Sequence, residues 1–149
     1  MTDCTGVRLE PVTPENMRAV CDLRVAPEQQ SFVEPNAVSL SEAYVHAAAW
    51  CRAVYAGEEL VGFVMLHDTE AGPGYMLWRL MIDVRFQGRG FGRQVVHRVM
   101  DYARSRPGAT QLKVSVHGGD GSPGPFYESL GFMATGEVSG DQPVYAIPL

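Results

Sequence analysis

The stretch Gln87-Gly88-Arg89-Gly90-Phe91-Gly92 decides the fold of this chain, and the segments on either side of it give it meaning. Residues 75 to 82 before it are mostly apolar and contain no acidic residue, which predicts a strand buried on both faces. Apolar residues recur at helical spacing from residue 91 to residue 104, and Pro107-Gly108 end that pattern. Three closely spaced glycines between strand and helix allow a tight turn with converging N–H groups. The stretch therefore predicts a phosphate-binding loop.

Other glycine-rich loops fit this sequence less well. A P-loop requires Gly-Lys followed by Ser or Thr, and no such pair follows Gly88 or Gly90. A dinucleotide-binding fingerprint requires a third glycine where Arg93 stands. Residues 119–124 satisfy G-x-G-x-x-G by the letter, but two prolines interrupt that stretch and too little chain follows for a βαβ unit. These departures argue against ATP, GTP and dinucleotide ligands.

Length and charge limit the class of protein. With 149 residues, of which 46% are apolar, the chain is expected to form one domain over residues 1–149. The net charge of −5 and the 19% content of charged residues argue against disorder and against nucleic-acid binding. A small cationic substrate suits this charge balance.

The sequence carries no sign of export, a membrane or a metal. Residues 1 to 7 lack the basic and apolar regions of a signal peptide, and no apolar stretch approaches membrane-spanning length, so we expect a cytoplasmic protein. Cys4, Cys21 and Cys51 are odd in number and widely spaced, which predicts reduced thiols. The four histidines form no metal-binding motif with them, so no metal is expected.

Strands and helices are expected to alternate along the chain. Strands are predicted at residues 7–12, 50–56, 60–67, 111–116, 133–138 and 144–149, beside the one at 75–82. Further helices are predicted at 13–25, at 40–48 behind a capping box from Ser39 to Glu42, and at 124–130. Residues 26–38 have no period and are expected to line the substrate side. The order predicts an α/β fold, with a mixed central sheet of about seven strands and helices on both faces.

Two motifs resemble the GNAT superfamily of N-acyltransferases. Gln87, Gly90 and Gly92 occupy the defining places of Gln-x-x-Gly-x-Gly, its acyl-CoA pyrophosphate loop. Residues 126–132 look like its second signature, a helix with a proton-donating tyrosine. More narrowly, the chain resembles bacterial spermine/spermidine acetyltransferases at residues 26–29 with Phe32, Val33 and Asn36, at residues 78–83, and at residues 121–123 before 125–127.

The resemblance implies acetyl-CoA as co-substrate. Its pantetheine would lie along the central strand where neighbouring strands separate, and its pyrophosphate on the N–H groups of the glycine loop. The arginines of the loop would either reach phosphate oxygens or form a solvated helix face. The implied cofactor-binding residues are Leu80, Met81, Ile82, Gln87, Gly88, Arg89, Gly90, Phe91, Gly92, Arg93, Ser122 and Phe126.

Acyl transfer to an amine needs a proton acceptor for the ammonium and a donor for the thiolate. The resemblance makes Tyr127 the donor, although an aromatic residue at this spacing also suits simple packing of the helix. The resemblance would place the base, often a glutamate, on the central or fifth strand, where this chain has no carboxylate. Glu28 is the first candidate, in the stretch like polyamine acetyltransferases. Glu34, Glu42, Asp68 and backbone carbonyls are alternatives.

The expected function is direct transfer of acetyl from acetyl-CoA to a small primary amine, foremost a polyamine such as spermidine or spermine. An amino acid, an antibiotic or a protein N-terminus is an alternative acceptor. A non-catalytic CoA-binding module is a different class of protein that the missing strand glutamate leaves open. By analogy with the family, a homodimer is also expected.

Overall fold

Seven strands form one mixed sheet in the computed structural model of the chain, which describes residues 6–119 and 121–149. Their spatial order is β1-β2-β3-β4-β5-β7-β6. β4 pairs with β5 in parallel, and the other neighbouring strands pair antiparallel. The strands are β1 (Val7–Glu10), β2 (Ala49–Ala56), β3 (Glu59–His67), β4 (Met76–Ile82), β5 (Gln111–Ser115), β6 (Met133–Ser139) and β7 (Gln142–Pro148).

Four α-helices cover both faces of this sheet, which confirms the predicted fold class. They are α1 (Met17–Asp22), α2 (Asn36–Val45), α3 (Phe91–Arg104) and α4 (Gly124–Ser129). On one face, Val95, Val96 and Val99 of α3 are fully buried against the sheet. On the other face, Val20 and Leu23 pack on β3. Burial of each such side chain stabilises the fold by about 1.5–3 kcal/mol. This packing holds the start of α3 beside the end of β4.

Two predicted helix starts were wrong. The helix expected at 40–48 begins at Asn36 and ends at Val45, so Ser39 lies inside it, fully buried, and does not cap it. Buried Asn36 donates a 2.9 Å hydrogen bond to the Val20 carbonyl, a tertiary contact that local spacing does not reveal. The helix expected from residue 13 begins at Met17, because Thr13 and Asn16 bond each other's backbone N–H groups in a turn.

Strand β4 is less buried than its apolar sequence predicts, because a gap opens beside it. Leu77 and Met81 are buried, whereas the other residues of the strand are half-buried. The register with β3 shifts between Leu77 and Arg79, so Trp78 forms a bulge. Trp78 and Arg79 consequently both lie on the side of α2, where Trp78 packs on the α1–α2 core and the Arg79 Nη1 donates to Ser39 Oγ at 2.9 Å.

Cysteines and possible metal ligands are dispersed in the described part of the chain. Cys21 and Cys51 are free thiols, and Cys4 lies outside the described residues. Residues 6–119 and 121–149 contain no group of three or more His, Cys, Asp or Glu side chains arranged to hold a metal ion. Over the same residues, no helix combines the length and apolarity needed to cross a membrane.

Candidate active site

A cleft of about 960 Å³ opens where β4 and β5 separate. The two strands pair only at Met76–Lys113 and Leu77–Val114, so the remainder of β4 has no strand partner on that edge. The cleft is walled by the exposed edge of β4, the glycine loop, α4 and the segment between α1 and α2. Its volume is typical of a small-molecule site.

The glycine loop closes one end of the cleft with backbone groups. Gly88 and Gly90 have φ of 82° and 81°, in the left-handed region that favours glycine, and no atom lies within 4 Å of a Cβ built on either. No described residue accepts a hydrogen bond from the N–H groups of residues 88 to 93. Gly90 directly precedes α3, so these donors lie at the positive end of a 14-residue helix. The geometry fits a diphosphate.

The Gln87 side chain braces this loop, a role that the sequence motif did not reveal. Its Nε2 donates to the Ile82 carbonyl at 2.8 Å and to Gln29 Oε1 at 2.9 Å. The first bond holds the end of β4, and the second reaches the segment between α1 and α2. Gln87 therefore joins the loop to the opposite wall of the cleft.

The two arginines of the loop are placed differently. Arg93 lines the cleft, and its Nη2 lies 3.5 Å from Ser129 Oγ. Arg89 is exposed outside the lining of the cleft, with its guanidinium 5.6 Å from the ring centroid of Phe86. Arg93 is thus the better placed of the two to meet a ligand in the cleft.

Three consecutive β4 residues predicted to meet the co-substrate divide by face. Leu80 and Ile82 are half-buried in the cleft wall. The Met81 side chain lies in the core on the α1 side, with its Sδ 3.6 Å from Asn36 Nδ2. Met81 therefore offers its backbone to the cleft.

Tyr127 combines a packed ring with a place in the cleft lining. The ring meets Phe126 and Phe132 edge-to-face, at centroid distances of 5.0 and 5.4 Å. No described residue hydrogen-bonds its hydroxyl, and the residue lines the cleft. Burial raises the pKa of Tyr127 well above that of free tyrosine, because the phenolate would lose its hydration, so the phenol is protonated at neutral pH. Phe126 packs beside Gly92, where an added Cβ would lie 3.4 Å from its ring.

Of the four acidic candidates for the base, the structure brings one to the cleft. Glu34 belongs to the lining, whereas Glu28, the first choice from sequence, is exposed on a 3-10 turn outside it. Glu42 pairs with Arg79 at 2.5 Å, and Asp68 pairs with Arg106 at 2.9 Å. Neither Glu42 nor Asp68 lines the cleft, and each is engaged by its arginine.

A cluster of His117, Phe32 and Gln142 also lines the cleft, and sequence reasoning did not bring these three residues together. The ring centroids of Phe32 and His117 lie 6.0 Å apart, and the Gln142 amide nitrogen lies 3.2 Å from His117 Nε2. Ser122 donates to the His117 carbonyl and accepts from the Gly124 N–H at 3.1 Å, so it shapes the turn before α4. Three distant segments meet here, and no local motif marks that meeting. Asp120 lies outside the described residues.

Buried Asp83, also missed, ties the end of β4 to the segment after α1. Its Oδ2 accepts from the Arg24 N–H at 2.9 Å, and its Oδ1 accepts from the Arg85 backbone and side chain. Burial opposes the charge of Asp83, but the hydrogen bonds from Arg85 and Arg24 outweigh it and lower its pKa. The carboxylate thus helps to hold both walls of the cleft together.

Comparisons with known proteins agree with this geometry. The model of the acetyltransferase (GNAT) family matches residues 17–132. A spermine/spermidine N(1)-acetyltransferase of Bacillus subtilis is 26% identical over 139 residues, which cover 89% of this chain and 91% of that protein. An acetyltransferase structure from Thermus thermophilus superposes with a TM-score of 0.73 at 25% identity, covering 97% of each chain. A spermidine N-acetyltransferase of Vibrio cholerae, solved with CoA and spermine, gives 0.70 at 20% identity, covering 96% of this chain and 95% of that one.

Proposed function

The chain belongs to the acetyltransferase (GNAT) family, and from that premise we propose that it acetylates a primary amine of a small substrate, foremost a polyamine such as spermidine or spermine. Acetyl-CoA is the proposed co-substrate, and it supplies the acetyl group as a thioester. Transfer is direct, with both substrates in the cleft at once.

The separation of β4 from β5 beyond Leu77 and Val114 is the observation that carries this proposal. It leaves an extended strand edge free to pair with a linear amide-bearing ligand such as pantetheine. The glycine loop lies at one end of that edge, and Tyr127 lies in the same cleft. We assign the diphosphate to the glycine loop, the pantetheine arm to the edge of β4 and the thioester sulfur to the side of Tyr127.

Each group of the chain has one task in this proposal. The N–H groups of residues 88 to 93 bind the diphosphate, and Arg93 adds a charge-assisted donor. The free edge of β4 orients the thioester arm. Tyr127, kept protonated by burial, donates its proton to the departing sulfur.

A polyamine is supported by the relatives and by Glu34. The Bacillus protein carries spermine/spermidine in its name, and the Vibrio structure was solved with spermine. A polyamine has a second ammonium besides the one that reacts, and Glu34 is the carboxylate that the described cleft lining offers to it. An exposed pair of this kind contributes up to about 1 kcal/mol, enough to orient a flexible chain but not to exclude other amines.

An acceptor panel tests the proposal. Thiol release from acetyl-CoA is measured with spermidine, spermine, single amino acids, an aminoglycoside and a short peptide at equal concentrations. We expect release to be fastest with the polyamines, and mass spectrometry to find one added acetyl group. Faster turnover of an amino acid or peptide would contradict the polyamine assignment and identify that compound as the preferred acceptor. No release with any amine would contradict it.

We also propose that two copies associate through β6, as the family resemblance implies. The strand pairs only with β7 among the described strands, and Met133 and Val138 are 73% and 64% exposed. Light scattering of the purified protein tests this, since a monomer at micromolar concentration would contradict it.

A further inference from the structure

We propose that His117 is the catalytic base that takes a proton from the ammonium of the acceptor. This inference rests on the proposed function and names the group that the missing strand glutamate leaves unassigned.

The proton must go to some group, because a primary alkylamine is almost fully charged at neutral pH. With a pKa of about 10.4, roughly one molecule in 2,500 is uncharged at pH 7. Only the uncharged amine has the lone pair that attacks a thioester. A base in the cleft therefore raises the fraction of bound acceptor that is ready to react.

His117 lies where such a base is needed. It follows β5 by two residues, and it lines the cleft together with Val114 and Ser115. Tyr127 lines the same cleft. In this proposal, the bound amine lies between the imidazole and the thioester.

Contacts from two segments hold the His117 ring. The Phe32 ring lies against it at 6.0 Å with an interplanar angle of 59°. The Gln142 amide nitrogen lies 3.2 Å from Nε2 and 3.4 Å from Nδ1. Because the amide nitrogen is almost equally far from both ring nitrogens, it lies over the face of the imidazole and does not occupy the in-plane lone pair that would take a proton. Ser122 donates a hydrogen bond to the His117 carbonyl and so holds the backbone at this position.

The other titratable groups around the cleft are poor proton acceptors. From the segment before α2, Glu34 is exposed to solvent, and a solvated carboxylate is a weak base. On β4, Arg79 is paired with Glu42. On α4, Tyr127 is held protonated by burial, and β7 offers the uncharged Gln142. Imidazole is the side chain whose ordinary pKa lies near neutrality.

The protons balance over one turnover. The ammonium loses its first proton to the unprotonated ring nitrogen of His117, which later passes it to water. The amine nitrogen then forms a bond to the thioester carbonyl carbon, and the carbon–sulfur bond breaks with its electron pair moving to sulfur. Tyr127 gives its proton to that sulfur and is restored by the second proton that leaves the amine nitrogen. The products are the N-acetyl amine and free thiol.

His117→Gln tests the assignment, with His97→Gln on the exposed part of α3 as its matched control. We expect His117→Gln to lower kcat/KM for the best amine about 100-fold, as removal of a general base does, and to remove the rise of activity through the imidazole range. Calorimetry is expected to give wild-type affinity for CoA in both variants. His97→Gln is expected to keep the wild-type rate and pH profile.

A second measurement distinguishes a base from a merely structural histidine. The His117 Cε1–H resonance is followed by NMR against pH in the CoA complex, with assignment from the variant. We expect it to titrate over the pH range in which kcat rises, and added imidazole to restore part of the rate of His117→Ala. Full activity of His117→Gln, or no titration in that range, would overturn the inference. An inactive wild-type protein would overturn the proposed function instead.

Discussion

Two parts of the cleft, the glycine loop and the His117 cluster, are built in opposite ways. At the glycine loop, the groups proposed to bind phosphate are backbone N–H donors at the start of α3, held by two residues with positive φ. At the proposed acceptor site, the groups are the side chains of Phe32, His117 and Gln142, which come from segments far apart in the chain. The first part depends on local conformation, and the second depends on the tertiary structure.

This difference determines which substitutions each part of the cleft tolerates. A backbone site tolerates changes in most side chains but fails when a glycine is replaced at a left-handed position. A side-chain site can change its ligand by single substitutions while the fold stays intact. We therefore expect most single substitutions to leave acetyl-CoA binding unchanged. A few substitutions of side chains in the cleft are expected to change which amine is used as the acceptor.

The largest effect is expected at the glycine loop. Gly90→Val places a β-branched residue at φ of 81°, which the loop can accept only by turning its N–H groups away. Affinity for acetyl-CoA should fall at least about 100-fold by calorimetry, equivalent to roughly 2.7 kcal/mol. Gly57→Val carries comparable strain at φ of 62° in the β2–β3 turn, outside the cleft. Equal affinities in the two folded variants would disprove the loop assignment.

Tyr127→Phe is expected to give the next largest effect. Without the phenol proton, kcat should fall about 100-fold, the lower range for a general acid, while affinity for acetyl-CoA stays unchanged. Tyr75→Phe is the matched control, because its hydroxyl donates to the Pro107 carbonyl outside the cleft. If both variants turn over at the wild-type rate, Tyr127 has only a packing role.

Asp83→Asn tests how the end of β4 is tied to the segment after α1. Loss of the charged acceptor for Arg24 and Arg85 should lower the free energy of unfolding by about 1–3 kcal/mol at pH 7. Because folding lowers the Asp83 pKa, this stability is present above the unfolded value near 3.9 and is lost as pH falls through the lower folded value. Urea titrations of both proteins should therefore converge in acid. A difference that grows below pH 4 would contradict the sign.

The smallest effect is expected from substitutions of the acidic residues in the segment between α1 and α2. Glu34→Gln should raise KM for spermidine up to about 5-fold, since an exposed pair contributes no more than about 1 kcal/mol. Glu28→Gln should leave KM at the wild-type value, because that side chain lies outside the cleft. Steady-state assays at low ionic strength compare the two, and the reverse ranking would restore Glu28 as the recognition residue.

The sequence predicted best where local geometry decides the structure. The bounds of α3 and the positive φ values of Gly88 and Gly90 follow from helical spacing and from the conformational freedom of glycine. The start of α2 was missed because the buried hydrogen bond of Asn36 outweighs the local capping signal at Ser39.

The proposed acceptor site could not be predicted from the sequence, because it too depends on tertiary contacts. Glu28 and Glu34 are both acidic residues in one irregular segment, and only the path of the backbone shows which of them reaches the cleft. His117 has no informative neighbours in the sequence, since Phe32 and Gln142 approach it from other segments.

The hydrogen bond from Gln87 to Gln29 has a consequence for engineering this enzyme. The segment between α1 and α2 could be replaced with that of a relative to alter substrate preference. It would then lose its hydrogen bond to Gln87 unless position 29 kept a side-chain amide or another group that accepts this bond. A chimera that exchanges residues 30–34 and leaves Gln29 in place should thus acquire the substrate selectivity of the relative. Its turnover rate should fall less than that of a chimera exchanging residues 26–34.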